Sequence, residues 1–270
     1  MKTNSVLFLL GLALLASCGE KQPASWVFKE EIRPDDIAPL GIAADSNCLW
    51  ISDPDNNRIV KTSLHGEIIE QYPGFQRPMH IARYESTLYI PEFLTDSVKT
   101  LENGNIRPMT LEEPLNAPAG LSVSGEYFAI TGFYMHRVLL FHGDSVLTIG
   151  RQGHGDGELY YPTDVEIHNK LLYVADAYNN RVQVFNLQGM YVQMIGWNDS
   201  IQVATGLAVT DRQVFVADFY GNRVLVYDHA GNLQQTLQGP LDKPTDISIW
   251  KHRMYIAGYG AKNIAVYGWQ

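Results

Sequence analysis

Residues 162–185 read PTDVEIHNKLLYVADAYNNRVQVF, and residues 205–227 repeat the phrase as TGLAVTDRQVFVADFYGNRVLVY. Further copies begin at Pro39, Pro78, Pro118 and Pro244, so six units follow one another at intervals of about forty residues. A period of that length marks one supersecondary unit that cannot bury its apolar face alone and must stack on copies of itself. Within a copy, short runs alternate apolar and polar residues with period two, the pattern of half-buried strands. In the fourth copy the runs 164–167, 171–175, 181–185 and 190–195 read as four strands, rich in Val, Ile, Tyr and Phe. Gly recurs in the turn before the fourth strand, as Gly66, Gly104, Gly189 and Gly231, where a hairpin needs positive φ. Six such units without a helical pattern predict an all-β fold, a six-bladed β-propeller of four-stranded antiparallel blades.

The sixth unit supplies only three strands before Gln270, while residues 26–32 (WVFKEEI) form a strand-like run outside every unit. The expectation is a ring closed by the N-terminal strand 26–32, which completes the last blade and leaves no unpaired edge at the closure.

The units resemble NHL repeats. The resemblance rests on the opening Pro with Gly or Asp two residues on, a strand ending in Val-Ala-Asp, and Asn-Arg-Val after it. Residues 149–166, IGRQGHGDGELYYPTDVE, are also similar to the Gly-rich segment that joins NHL blades. The pattern is most specific in the first, fourth and fifth units. Elsewhere Glu92, Gly132 and Gly258 replace the Asp, and Ser97 and Asn263 replace the Arg. The resemblance spans residues 26–270 and implies a propeller, but no single activity. Amidating lyases of similar architecture carry zinc-binding His directly after the opening Pro. Leu40, Met79, Ala119, Thr163 and Thr245 stand there in this chain, and Thr205 follows Ala204 at the equivalent place, so that activity does not carry over. Lactonase propellers use a carboxylate-rich calcium site, to which Asp164 and Asp246 could contribute.

The start of the chain reads differently. Lys2, the apolar run 6–15 and Leu15-Ala16-Ser17-Cys18 resemble a bacterial lipoprotein signal. The run is too short to span a bilayer. The expected organisation is a signal peptide at 1–17, a lipidated tether at 18–25 and the propeller at 26–270. Acyl chains on Cys18 would hold the protein on a membrane of the cell envelope, facing periplasm or surface, at about 0.8 kcal/mol per buried methylene. Cys48 is then the remaining thiol, in an apolar strand, and reads as a small buried hydrophobe. The net charge is −9, and loss of residues 1–17 removes Lys2 and no acid. Without a basic stripe, nucleic acid is not an expected partner.

Two sets of residues invite a ligand. The positions two after each opening Pro, or after Ala204 in the fifth unit, are Gly41, His80, Gly120, Asp164, Gly206 and Asp246. The three that are not Gly fall in alternate units, a third of a turn apart at the channel mouth, where an imidazole and two carboxylates could hold a divalent cation. The loops between second and third strands carry Tyr134, Tyr178 and Tyr220 beside Arg137, Arg181 and Arg223. Rings beside guanidinium groups suit flat apolar or sugar-like ligands, peptide side chains or carboxylates. Recurrence of the Arg, and of Asp53, Asp176 and Asp218 five residues before it, also fits a scaffold role. No Gly-x-Ser-x-Gly elbow, His-Glu-x-x-His or phosphate loop occurs. The expected function is non-catalytic binding of a small ligand or envelope protein at Tyr134, Tyr178, Tyr220, Arg137, Arg181, Arg223, His80, Asp164 and Asp246, without a dedicated cofactor. The alternative is a metal-dependent, lactonase-like hydrolase or lyase using His80, Asp164 and Asp246.

Overall fold

The structure, a computed structural model, describes residues 24–270. The signal at 1–17 and Cys18 lie outside the described residues. The remainder forms six four-stranded antiparallel sheets, five of them in sequential up-and-down order, so the propeller is as expected. The fourth blade shows the pattern: Pro162–His168, Leu171–Asp176, Arg181–Asn186 and Tyr191–Ile195 run from the axis outward. Its second and third strands are almost wholly buried on both faces, whereas the outer strand is mostly half-buried, with Val192 exposed. One departure from pure β structure is a single 3-10 turn, Ala177–Asn179, in the loop after the second strand.

The ring closes through the last sheet. Trp26–Ile32 pairs antiparallel with Asn263–Trp269, with Trp26 opposite Trp269 and Ile32 opposite Ile264. Trp26 and Ile32 are both buried, so this strand is held by side chains as well as by its ladder. Full burial of a side chain such as Ile32 contributes about 1.5–3 kcal/mol.

The core is divided among the seams between blades. Each of six apolar clusters draws residues from two adjacent sheets, as Val184 and Val182 meet Leu207 and Val216 between the fourth and fifth blades. The loop-rich face adds polar locks across these seams. Asn57, Asp96, His136, Asn180, Asn222 and Lys262 occupy equivalent places with φ near +50°. Asn and Asp tolerate this left-handed region better than other residues with a Cβ. Side chains at this place then reach the next loop: Asn57 accepts from Arg77 N–H (2.8 Å), Asp96 from Ala117 N–H (2.7 Å), and Asn222 from Lys243 N–H (2.9 Å). His136 does the same through Nδ1, taking the Tyr161 N–H at 3.1 Å.

Candidate functional site

The loop-rich face holds the recurring Asp and Arg. Asp176 is fully buried, and its carboxylate accepts from Tyr160 N–H, Asn179 Nδ2, Gln183 Nε2 and Arg181 Nε at 2.7–3.0 Å. The Arg181 guanidinium is also buried and donates from Nη2 to the carbonyls of Gly155 (2.7 Å) and Glu158 (2.9 Å). Asp218 and Arg223 repeat the arrangement, with Arg223 reaching the carbonyls of Asp199 and Ser200. In the second blade Glu92 keeps the same job one methylene further out. It accepts from Gln76 N–H (2.8 Å) and from Lys99 Nζ (3.0 Å), which substitutes for the Arg. These groups brace the loop that leads into each blade. Arg137 stands where Gly132 has removed the carboxylate, and it makes no ion pair among the described residues.

The aromatic residues of this face do not form a symmetrical ring. Phe93, Phe133, Tyr134, His136, His154, Tyr160, Tyr161 and Tyr178 join in one continuous network over the second to fourth blades. Centroids are 4.8 Å apart for Phe133–Tyr161, 4.9 Å for Tyr161–Tyr178 and 5.1 Å for Phe133–Tyr134. His136 stacks on Tyr160 with an interplanar angle of 8°. Burial keeps the His136 pKa below the ordinary imidazole value, in accord with Nδ1 accepting the Tyr161 amide. Tyr134 and Tyr178 nevertheless remain 54% and 57% exposed. Trp197, also exposed, shares a hollow of the same face with Tyr178 and His154. Tyr220 is exposed as well but contacts only Phe219 among these rings (4.9 Å), apart from the network.

The axial residues converge. His80, Asp164 and Asp246 are buried together, with one ligand atom from each lying within 4.8 Å of the others. Their alternation with glycine has a steric cause. A Cβ on Gly41, Gly120 or Gly206 would come within 2.1–2.5 Å of a backbone or carboxylate oxygen of the next blade. Both carboxylates stitch neighbouring strands. Asp164 accepts from Val165 N–H (2.9 Å) and, across the seam, Leu207 N–H (2.8 Å). Asp246 accepts from Ile247 N–H and Ile42 N–H, both at 2.8 Å. His80 behaves differently. Among the described residues its Nδ1 has no hydrogen-bond partner, the Asp246 carboxylate lying 3.7 Å away.

Two residues further along each first strand, Ala43, Ala82, Ser122, Glu166, Ala208 and Ser248 line a cavity of about 320 Å³. The cavity runs from the axial cluster toward the short turns on the opposite face, where Arg83 and Trp250 stand at its open end. None of Tyr134, Tyr178, Tyr220, Arg137, Arg181 or Arg223 lines it, so the structure divides the nine expected site residues into two separate places. Glu166 was not among them. It accepts a hydrogen bond from Ser122 Oγ (2.9 Å), and burial, reinforced by the Asp164 charge, pushes its carboxyl up to about 8. Burial likewise raises Asp164. Burial opposes charge on His80, but the Asp246 and Asp164 carboxylates outweigh it and raise the imidazole. The signal for Glu166 was present in the period-two pattern: it is the one large side chain at its level, among Ala and Ser.

Residues 159–185 match the NHL repeat model, which places the repeat on the fourth blade. No curated relative matches the chain. Solved structures share its architecture. A catalytically inactive variant of virginiamycin B lyase from Staphylococcus aureus, with quinupristin, is 17% identical over 90% of this chain and 85% of its own, with a TM-score of 0.65. A streptogramin B lyase is 13% identical over 91% and 98%, at 0.68. A chain of a nidogen/laminin complex is 17% identical over 78% and 85%, at 0.66. At these identities the likeness is one of fold.

Proposed function

We propose that this propeller is a non-catalytic binding protein, held at the bacterial envelope by lipid on Cys18, that receives a small ligand or a partner polypeptide on its loop-rich face. The observation that carries the reading is the one-sided network of eight rings with Tyr134 and Tyr178 more than half exposed. Aromatic rings concentrated on one surface and rimmed by polar groups are a recognition surface, since they offer large contact area at small entropic cost. Arg137, which has no carboxylate partner among the described residues, supplies a charge next to His136 in the chain. The contact is centred on Tyr134 and Tyr178 rather than spread around the axis.

Photo-crosslinking tests this in the producing cell. A benzoylphenylalanine at position 134 or 178 should yield an adduct, read by intact mass, and one at Gln234 near the short-turn face should not. Adducts only from position 234, or none from 134 and 178, would overturn the placement. Cys18→Ser should release the chain from membranes and abolish fatty-acid incorporation.

A second reading, a hydrolase or lyase, has one observation in its favour: three titratable groups meet at a solvent-reaching cavity. Incubation with quinupristin, the compound found with the staphylococcal lyase, separates the two. The binding reading expects it to be recovered unchanged.

A further inference from the structure

We propose that His80, Asp164 and Asp246 form a binding site for one divalent first-row transition ion of the Zn²⁺ type, open toward the cavity on the short-turn face. The inference is independent of the loop-face reading, since no aromatic residue of that face lines the cavity. It rests first on convergence. Alternate blades deliver three donors to one point, and glycine at the intervening positions lets the strands close around them. It rests second on the orphaned imidazole nitrogen. His80 is 5% exposed, yet Nδ1 meets neither a donor nor an acceptor at hydrogen-bond distance. A buried polar atom left without a partner costs about 1–3 kcal/mol, which metal ligation removes.

The donor atoms are available. Every carboxylate oxygen of Asp164 and Asp246 accepts one backbone N–H, which leaves each a second lone pair. Those amides also fix the carboxylates, the role that outer hydrogen bonds play around metal ligands. Charge balance agrees: a dication neutralises two carboxylates while the imidazole stays neutral. Metal–ligand bonds of about 2.0–2.2 Å set neighbouring donors roughly 3.5 Å apart in a tetrahedron. His80 Nδ1 and Asp246 Oδ1 already stand 3.7 Å apart, and small side-chain rotations would close the rest.

The choice of ion follows from the donors. Ca²⁺ takes six to eight oxygen ligands and Mg²⁺ keeps a shell of water, whereas imidazole with carboxylate suits Zn²⁺ and its neighbours. Three protein ligands leave at least one coordination position, and the cavity lined by Ser122, Glu166 and Ser248 adjoins it.

The test is a titration of the purified full chain, stripped with chelator, against Zn²⁺, Co²⁺ and Ca²⁺. One equivalent of Zn²⁺ should bind and raise the melting temperature. Co²⁺ should give visible absorption that Zn²⁺ abolishes, and Ca²⁺ should do neither. His80→Gln should weaken Zn²⁺ about 100-fold or more, while circular dichroism shows that the stripped variant keeps the fold. Asp246→Asn should lose the site too, but it also disturbs the Ile42 latch, so His80→Gln is the deciding variant. Absence of saturable Zn²⁺ and Co²⁺ binding, or binding that His80→Gln leaves unchanged, would overturn the proposal. Ca²⁺ binding in their place would overturn the assignment of the ion.

Discussion

The loop cluster around Asp176 and the axial cluster around Asp164 bury similar groups to different ends. At Asp176 the carboxylate has four hydrogen-bond donors, and the Arg181 fork uses two loop carbonyls. At the axis two carboxylates face an imidazole that neither of them reaches closely enough to bond. A saturated network locks one geometry. An unsaturated one keeps capacity for something further, at the expense of stability. Burial alone therefore does not separate scaffold from site in this ring, whereas the hydrogen-bond inventory does.

The sharpest way to break the contrast is Arg181→Met. Removing one partner of a fully buried pair leaves Asp176 charged and short of a donor, and urea unfolding should show a loss of about 3–5 kcal/mol. A loss below 1 kcal/mol would contradict its role as a brace. In the second blade, Lys99 is a quarter exposed, so Lys99→Met should lose less, about 1–2 kcal/mol by the same measurement.

The axial cluster should declare itself through pH. Glu166, Asp164 and His80 all have raised pKa values in the folded state, so the folded chain holds more protons than the unfolded one. Stability should therefore fall as pH rises from about 5 to about 8 in chelator-treated protein, and Glu166→Gln should flatten the fall by on the order of 2 kcal/mol. Melting curves across that range check it; an unchanged slope would show that Glu166 titrates near its ordinary value. The smallest effect belongs to Tyr178→Ala, which should shift stability by no more than about 1 kcal/mol because more than half of the ring is solvated. A larger loss would make the aromatic network a packing element instead of a surface kept for contact.

Much of this was legible in the chain. The repeat predicted the six sheets, the orphan run WVFKEEI predicted the closing strand, and the non-glycine residues two after Pro78, Pro162 and Pro244 do meet. Cys48 is buried as read, its Sγ donating to Asp45 Oδ2 at 3.3 Å, and burial pushes the thiol up to about 11. Less legible were Tyr160, Tyr161, His136 and His154. The first two and His154 sit in the joint between blades, and His136 takes a place that Asn occupies in three other units, so the aligned repeats did not mark them as one group.

The sequence by itself determined which residues share a strand, which face inward and which levels lie on the axis, because periods of two and of about forty are properties of the chain. Only the tertiary structure decided that the axial cavity opens on the face opposite the tyrosines, that Arg181 is enclosed and that His80 is left unbonded. These depend on how six sheets crowd at a common centre, where an ångström of separation between blades divides a hydrogen bond from a vacant lone pair.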